Sequence, residues 1–300
     1  MFLKDLIKNG DLHGADVAIV GVPFDDGVVV EGGRKGAFLA PSCIREQLHK
    51  YHKVYNLKHD IDLSALKICD LGDLDFSGKN VGEVHEKILR DMSGIFEKYP
   101  VVIVLGGGHD SSYSTIRAFS GVRKGLISGI NLDAHTDVKN RDDFGSGTIF
   151  GRVIREGFLK GENFAEMGMH DNFSEKEDVE FLRKNNCLIV PFFCIDENGV
   201  EASFSDTVSK VKGENTLFMS VDIDCVAEAF APGCSAPSSD GFSPWEVIRL
   251  SYLAGRQKGM ELFEVMEVNP EFDIDNRTCR LAATMIVAFL TGLVESKCVK

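Results

Sequence analysis

Seven short apolar runs recur along this chain, and between them lie segments with the spacing of helices. The apolar runs cover residues 15–24, 101–107, 125–133, 164–169, 187–193, 216–224 and 260–268. The helical patterns cover residues 41–53, 81–98, 174–186, 244–257 and 278–297. Strands that alternate with helices predict a parallel sheet with helices on both faces. We therefore predict an α/β fold with three layers, α/β/α, around a mostly parallel central sheet.

The alternation continues from one end of the chain to the other. No Pro/Ser-rich linker, low-complexity tract or internal repeat interrupts it across the 300 residues. An α/β sheet of this length routinely forms one compact unit. We therefore expect residues 1–300 to form a single domain.

The net charge of the chain limits the classes of partner that it can bind. The formal net charge of −13 argues against nucleic acid and anionic membranes, since both require a basic surface.

The eight cysteines form no CxxC pair, which is typical of reduced thiols in a cytosol. The N-terminus, MFLKDLIKNGDLHG, becomes charged too early for a signal peptide, and the apolar stretch 281–294 is too short to span a bilayer. We expect a cytoplasmic protein.

Charged residues stand where two of the predicted strands end, and this is where open α/β sheets bind ligands. Asp133, His135 and Asp137 alternate with Ala134 and Thr136. On extended backbone such residues point to one face, so three metal-binding groups are expected to converge. A solvated turn is the alternative.

Asp222 and Asp224 repeat this alternation at the end of another apolar run. Two carboxylates on one face repel each other unless a cation or a proton lies between them, although two nearby arginines would serve as well. His109 follows three glycines at the end of a further apolar run, where a sharp turn or a phosphate-binding loop is also conceivable.

Together these segments offer two imidazoles and four carboxylates. Four carboxylate charges balance two divalent cations, and such ligands suit manganese or a neighbouring first-row metal. Two metals held about 3.5–4 Å apart generate a nucleophile at neutral pH, so we predict a dinuclear metal hydrolase.

The segments that carry these residues resemble the ureohydrolase family, which includes arginase, agmatinase and formimidoylglutamase. The matching text is GGGHD at 106–110, DAHTD at 133–137, SVDID at 220–224 and MEVNP at 266–270. GVPF at 21–24, GAFLAPSCIR at 36–45 and LGDLD at 71–75 also match, so the similarity covers nearly the whole chain.

The resemblance implies two Mn²⁺ in one catalytic domain, although zinc, cobalt or iron would accept the same ligands. One manganese is then bound by His109, Asp133, Asp137 and Asp222, and the other by Asp133, His135, Asp222 and Asp224. Asp133 and Asp222 are the implied bridges. Asp137 is implied to hold the nucleophilic hydroxide, and Glu267 to orient the cationic carbon–nitrogen group of the substrate. A helix cap or a structural ion pair is the alternative role for Glu267.

Within the family, the chain is most similar to formimidoylglutamases. Ser146 and Phe150 stand where arginases and agmatinases carry a histidine, and DVKN at 137–140 is similar to DVRN. N-formimino-glutamate has two carboxylates, so Lys139 and Arg152 are candidate substrate contacts, with surface charge as the alternative. Lys139 replaces the usual arginine, and GMH at 168–170 replaces GIR, which leaves a protonated His170 as a further candidate.

The resemblance thus implies hydrolysis of N-formimino-L-glutamate to L-glutamate and formamide, a step of histidine breakdown. An agmatinase, guanidinobutyrase or arginase that releases urea is the nearest alternative. A non-catalytic metal- or nucleotide-binding α/β protein is a rival of another class. Trimers or hexamers are implied by the resemblance alone.

Overall fold

The computed structural model describes residues 1–298. Its strands are β1 Lys8–Asn9, β2 Val17–Val22, β3 Tyr55–Asn56, β4 Ile61–Asp62, β5 Ile68–Asp73, β6 Val101–Gly106, β7 Ile127–Leu132, β8 Phe164–Met167, β9 Leu188–Val190, β10 Thr216–Asp222 and β11 Met260–Met266. Its α-helices are α1 Leu3–Leu6, α2 Asp26–Val30, α3 Ala40–Tyr51, α4 Val81–Lys98, α5 Ser112–Val122, α6 Ile149–Arg155, α7 Lys176–Lys184, α8 Phe192–Asn198, α9 Val200–Val211, α10 Pro244–Gly255 and α11 Arg277–Cys298.

Nine strands form one sheet in the order β1-β5-β2-β6-β11-β10-β7-β8-β9. Every neighbouring pair in this sheet is parallel within the described residues, and β3 and β4 form a separate short antiparallel pair. The prediction of a mostly parallel sheet is therefore confirmed. β2, β6 and β7 are buried along their whole length, as expected for a sheet that is covered on both faces.

Two apolar cores lie on opposite faces of the sheet. One packs α3, α9, α10 and α11 against the strands, and the other packs α4, α5 and α6. This arrangement confirms the three-layer prediction. In the described chain, α11 is long and apolar enough to cross a bilayer, but 78% of its apolar window is buried within the fold, so it is a core helix.

Several elements differ from the sequence-based prediction. β5 was not predicted, because its text ICDLGD mixes apolar and charged residues. α5 and α9 were not predicted either, because serine and threonine, which are weak helix formers, interrupt their apolar pattern. The strand predicted over 187–193 is only β9, since the chain turns at Pro191 and enters α8.

The sheet order brings four strand ends together. β6, β11, β10 and β7 are consecutive neighbours, and register pairs Val265 with Leu105, Asp222 with Met266 and Val221 with Leu132. Because these strands are parallel, the loops that leave their carboxyl ends meet at one edge. Asp222 ends β10, and the other five predicted metal ligands and Glu267 lie in these loops.

Candidate metal centre

Each of these four strand ends contributes side chains to one buried site. The chain places His109 in a 3₁₀ turn shortly after β6, Asp133, His135 and Asp137 in the loop after β7, Asp222 and Asp224 at the end of β10, and Glu267 directly after β11. All of these side chains except His135 are buried. The structure thus brings together the six predicted ligands and Glu267.

The predicted extended backbone is wrong for this region. β7 ends at Leu132, and Asp137 has a φ of 48°, in the left-handed region that non-glycine residues seldom adopt. Oδ1 of Asp133 accepts a hydrogen bond from the backbone N–H of His135 at 2.7 Å. The side chains therefore meet because the loop turns, not because they alternate along a strand.

A similar turn follows β10. Oδ1 of Asp222 accepts a hydrogen bond from the backbone N–H of Asp224 at 2.9 Å, and a 3₁₀ turn covers Ile223–Cys225. This bond fixes Oδ1 of Asp222, and the other oxygen, Oδ2, lies 3.1 Å from Nδ1 of His109. Asp224 Oδ1 is buried without a hydrogen-bond partner among the described residues.

The side chains form two clusters that share Asp133. In the first, Nδ1 of His109 lies 3.1 Å from Asp222, 3.2 Å from Asp137 and 3.5 Å from Asp133. In the second, Nδ1 of His135 lies 3.4 Å from Asp133 and 3.2 Å from Asp224. The candidate ligand atoms of each cluster lie within 4.8 Å of one another, which is close enough to surround one ion. Carboxylate and imidazole donors of this kind fit manganese.

The electrostatics of the free protein indicate a site that requires positive charge. Burial, with repulsion from Asp133, raises the pKa of Asp137 to about 7. Burial and repulsion from Asp224 likewise raise the pKa of Asp222. Burial opposes protonation of His135, but the charge of Asp224 and hydrogen bonding with Asp133 raise its pKa to about 12. The raised pKa values of Asp137 and Asp222 show that these buried carboxylates require nearby positive charge to stay ionised.

Two polar side chains that the sequence analysis overlooked hold the ligands in place. Ser220 Oγ lies 2.9 Å from Nε2 of His109, which leaves Nδ1 facing the carboxylates. Asn131 donates a hydrogen bond to Oδ2 of Asp133 at 3.1 Å. Asn131 lies in β7 and Ser220 in β10, so a polar residue within a buried strand was the available signal. Such partners orient metal ligands.

A cavity of about 350 Å³ lies over the clusters. Ser146 lines this cavity, whereas Phe150 is buried with its ring edge-on to His109 at 5.6 Å between centroids.

Glu267 also lines the cavity, and its φ is 62°. Oε1 of Glu267 accepts a hydrogen bond from the backbone N–H of His109 at 2.5 Å, and Oε2 is buried without a partner in the described chain. One oxygen of Glu267 is therefore free for a ligand.

The three candidate substrate contacts have different positions. Lys139 lines the cavity, but its ammonium group lies 2.8 Å from Oε2 of Glu31, which also pairs with Arg141. Arg152 is not among the described residues that line the cavity. Its guanidinium stacks over the rings of Tyr113 and Phe144, 4.3 and 4.5 Å from their centroids.

His170 faces a neighbouring cleft of about 280 Å³. Its Nδ1 lies 3.0 Å from Oγ of Ser238. Burial lowers the pKa of His170, which is the opposite of what a protonated contact requires near pH 7. The expected cation at this position is therefore not supported.

The chain is similar in sequence and in structure to several known proteins. The sequence model of the Arginase family matches residues 15–292. The chain is 30% identical over 300 residues to a formimidoylglutamase of Bacillus subtilis, covering 97% of this chain and 92% of the relative. The crystal structure of formimidoylglutamase from Bacillus subtilis superposes with a TM-score of 0.93 at 28% identity, over 99% of this chain and 93% of that one. A Trypanosoma cruzi formiminoglutamase crystallised with Mn²⁺ superposes with a TM-score of 0.88 at 29% identity, over 93% of each chain.

Proposed function

Because this chain belongs to the arginase family, we propose that it is a dinuclear manganese hydrolase that cleaves the C–N bond of a linear amidine. N-formimino-L-glutamate is the proposed substrate, and L-glutamate and formamide are the products. The observation that carries this proposal is the pair of His/Asp clusters that share Asp133 beneath one cavity. Residues 1–300 act as one catalytic domain.

Two Mn²⁺ per chain are proposed. His109, Asp133, Asp137 and Asp222 hold one, and Asp133, His135, Asp222 and Asp224 hold the other. When bound, the metals supply a nucleophilic hydroxide at neutral pH and stabilise the charge that develops on the substrate. The four carboxylates balance the charge of two divalent ions.

Glu267 and Asp137 are the proposed catalytic residues. The free oxygen of Glu267 accepts a charge-assisted hydrogen bond from the amidinium N–H, which orients the substrate carbon over the site. The backbone N–H of His109 holds the other oxygen, so the carboxylate is oriented before the substrate arrives. Asp137 accepts a hydrogen bond from the nucleophile.

A guanidine substrate that releases urea is the second candidate. It is favoured by the charged residues of the cavity lining outside the metal centre, which we call the rim: Glu31, Lys139, Glu175 and Asp178. Lys139 is the only lysine or arginine that lines the cavity within the described chain, and Glu31 already neutralises it. Glu175 and Asp178 add further negative charge to the lining. The two carboxylates of N-formimino-glutamate would meet this acidic rim, whereas agmatine or 4-guanidinobutyrate carries fewer carboxylates.

A substrate panel decides between the two candidates. The Mn²⁺-loaded protein is assayed with N-formimino-L-glutamate, agmatine, arginine and 4-guanidinobutyrate, and formamide and urea are both quantified. We expect formamide release from N-formimino-L-glutamate to have the highest kcat/KM. A higher kcat/KM for urea release would assign the guanidine reaction instead. Fewer than two Mn²⁺ per chain by elemental analysis would contradict the dinuclear site.

We also propose that the protein is a cytoplasmic homo-oligomer, a trimer or a hexamer, by analogy with the family. Light scattering coupled to size exclusion measures the mass directly. A mass equal to that of one 33.0 kDa chain at micromolar concentration would contradict the oligomer.

A further inference from the structure

A row of four polar side chains crosses the interior of the sheet below the metal centre. Glu166 on β8 is the register partner of Asn131 on β7, Asn131 is the partner of Ser220 on β10, and Ser220 is the partner of Glu264 on β11. All four are fully buried. Parallel strands covered on both faces are normally apolar, and burying polar groups is costly, so this row requires a reason.

The row contacts the candidate ligands at its two inner positions. The Nδ2 group of Asn131 donates to Oδ2 of Asp133 at 3.1 Å and to Oε1 of Glu166 at 2.8 Å. Asp133 is the residue that both clusters share. The single amide of Asn131 therefore links the shared ligand to a carboxyl group one strand further from the site.

The contacts of Glu166 are not those of a saturated structural network. Its Oε2 and the Oδ1 of Asn131 have no hydrogen-bond partner among residues 1–298. A buried network that only stabilises the fold normally satisfies its polar atoms. The hydrogen bond that Oε1 accepts from Asn131 is therefore the one side-chain hydrogen bond that Glu166 makes among the described residues.

We propose that Glu166 is a positioning residue that acts through Asn131 on Asp133. By accepting one N–H of the amide, Glu166 fixes the rotation of the Asn131 side chain and aims the other N–H at Oδ2 of Asp133. This restraint orients the shared carboxylate for both metals and raises the affinity for Mn²⁺. The inference rests on the proposed function, because it assumes that Asp133 binds metal.

The test measures Mn²⁺ binding to the metal-free protein by electron paramagnetic resonance of the free ion. Glu166→Leu keeps a similar volume and removes the acceptor, and we expect it to weaken binding about tenfold, as other changes behind metal ligands do. Glu166→Gln keeps an acceptor oxygen, so its dissociation constant should stay within about threefold of the wild type. Recovery of Mn²⁺ affinity in Glu166→Gln would show that Glu166 acts as a hydrogen-bond acceptor and not through its charge.

Ser128→Ala is the matched control. Ser128 is buried on β7, the strand of Asn131, and its hydroxyl donates to the carbonyl of Val211 at 2.7 Å, away from the metal centre. This variant should lower the thermal midpoint of the metal-free protein and leave Mn²⁺ affinity unchanged. If Glu166→Leu does not fold, Asn131→Leu carries the same expected loss of affinity.

The outcomes distinguish failure of the positioning role from failure of the proposed function. Wild-type protein that binds no Mn²⁺ would overturn the proposed function. Wild-type binding with equal dissociation constants in Glu166→Leu and Ser128→Ala would overturn the positioning role alone. Weakened binding in Glu166→Leu with recovery in Glu166→Gln would support it.

Discussion

The floor and the rim of the cavity hold their charged groups in different ways. We call the two metal-binding clusters and Glu267 the floor: His109 and Asp133 are fully buried beneath the cavity, and backbone N–H groups donate the hydrogen bonds that fix Asp133, Asp222 and Glu267. On the rim, the Lys139 side chain is 43% exposed and pairs with Glu31. Buried charges must be paired or bind metal, whereas exposed pairs contribute little and exchange partners readily. The floor is thus suited to fixed chemistry, and the rim to selection among substrates.

The largest expected effect comes from the floor. Asp133→Asn should abolish detectable hydrolysis and reduce bound Mn²⁺ per chain, because this carboxylate belongs to both clusters. Even changes behind metal ligands cost about 10- to 100-fold, and the loss here should exceed about 100-fold. Elemental analysis and kcat/KM measure both effects. Full activity with normal metal content would remove Asp133 from the site.

Glu267→Gln should have the next largest effect. It keeps the shape of the side chain but replaces a charge-assisted hydrogen bond to the amidinium with a neutral one, so we expect kcat/KM to fall by about 10²-fold. Mn²⁺ content should be unchanged, because Glu267 belongs to neither cluster. Loss of metal in this variant would make Glu267 a ligand instead of a substrate contact.

The difference between floor and rim also explains what the sequence could predict. Asp133, Asp222 and His109 follow apolar runs that were recognisable as strands, and parallel strands necessarily end at one edge. The turn at Asp137, with its positive φ, depends on contacts that no local pattern shows. On the rim, Glu31 and Lys139 are 108 residues apart, so their pairing follows from the tertiary fold and not from local spacing.

A third prediction concerns the rim. Lys139→Ala should raise KM for N-formimino-L-glutamate by up to about tenfold with little change in kcat, because a half-exposed charge contributes modestly to binding. Lys139→Arg, the matched control, should keep KM at or below the wild-type value, since arginine binds carboxylates with two hydrogen bonds.

Glu31→Gln sharpens the same test, because it removes the negative charge that now neutralises Lys139. If the substrate is a dicarboxylate, KM should fall by about two- to fivefold, as expected for one partly exposed charge. A rise in KM for agmatine in the same variant would instead indicate that the rim selects a cationic tail. An unchanged KM for both compounds would exclude this pair from substrate selection.

The smallest effect on catalysis is expected for Arg152→Ala. Arg152 was predicted from the sequence as a substrate contact, yet its guanidinium stacks on Tyr113 and Phe144 and lies 3.5 Å from Glu156. Loss of cation–π stacking should cost about 1 kcal/mol of unfolding free energy and leave KM within about twofold of the wild type. Denaturant unfolding and steady-state kinetics measure the two effects separately. A KM increase larger than that of Lys139→Ala, without a loss of stability, would return Arg152 to the rim as the residue that binds the substrate carboxylate.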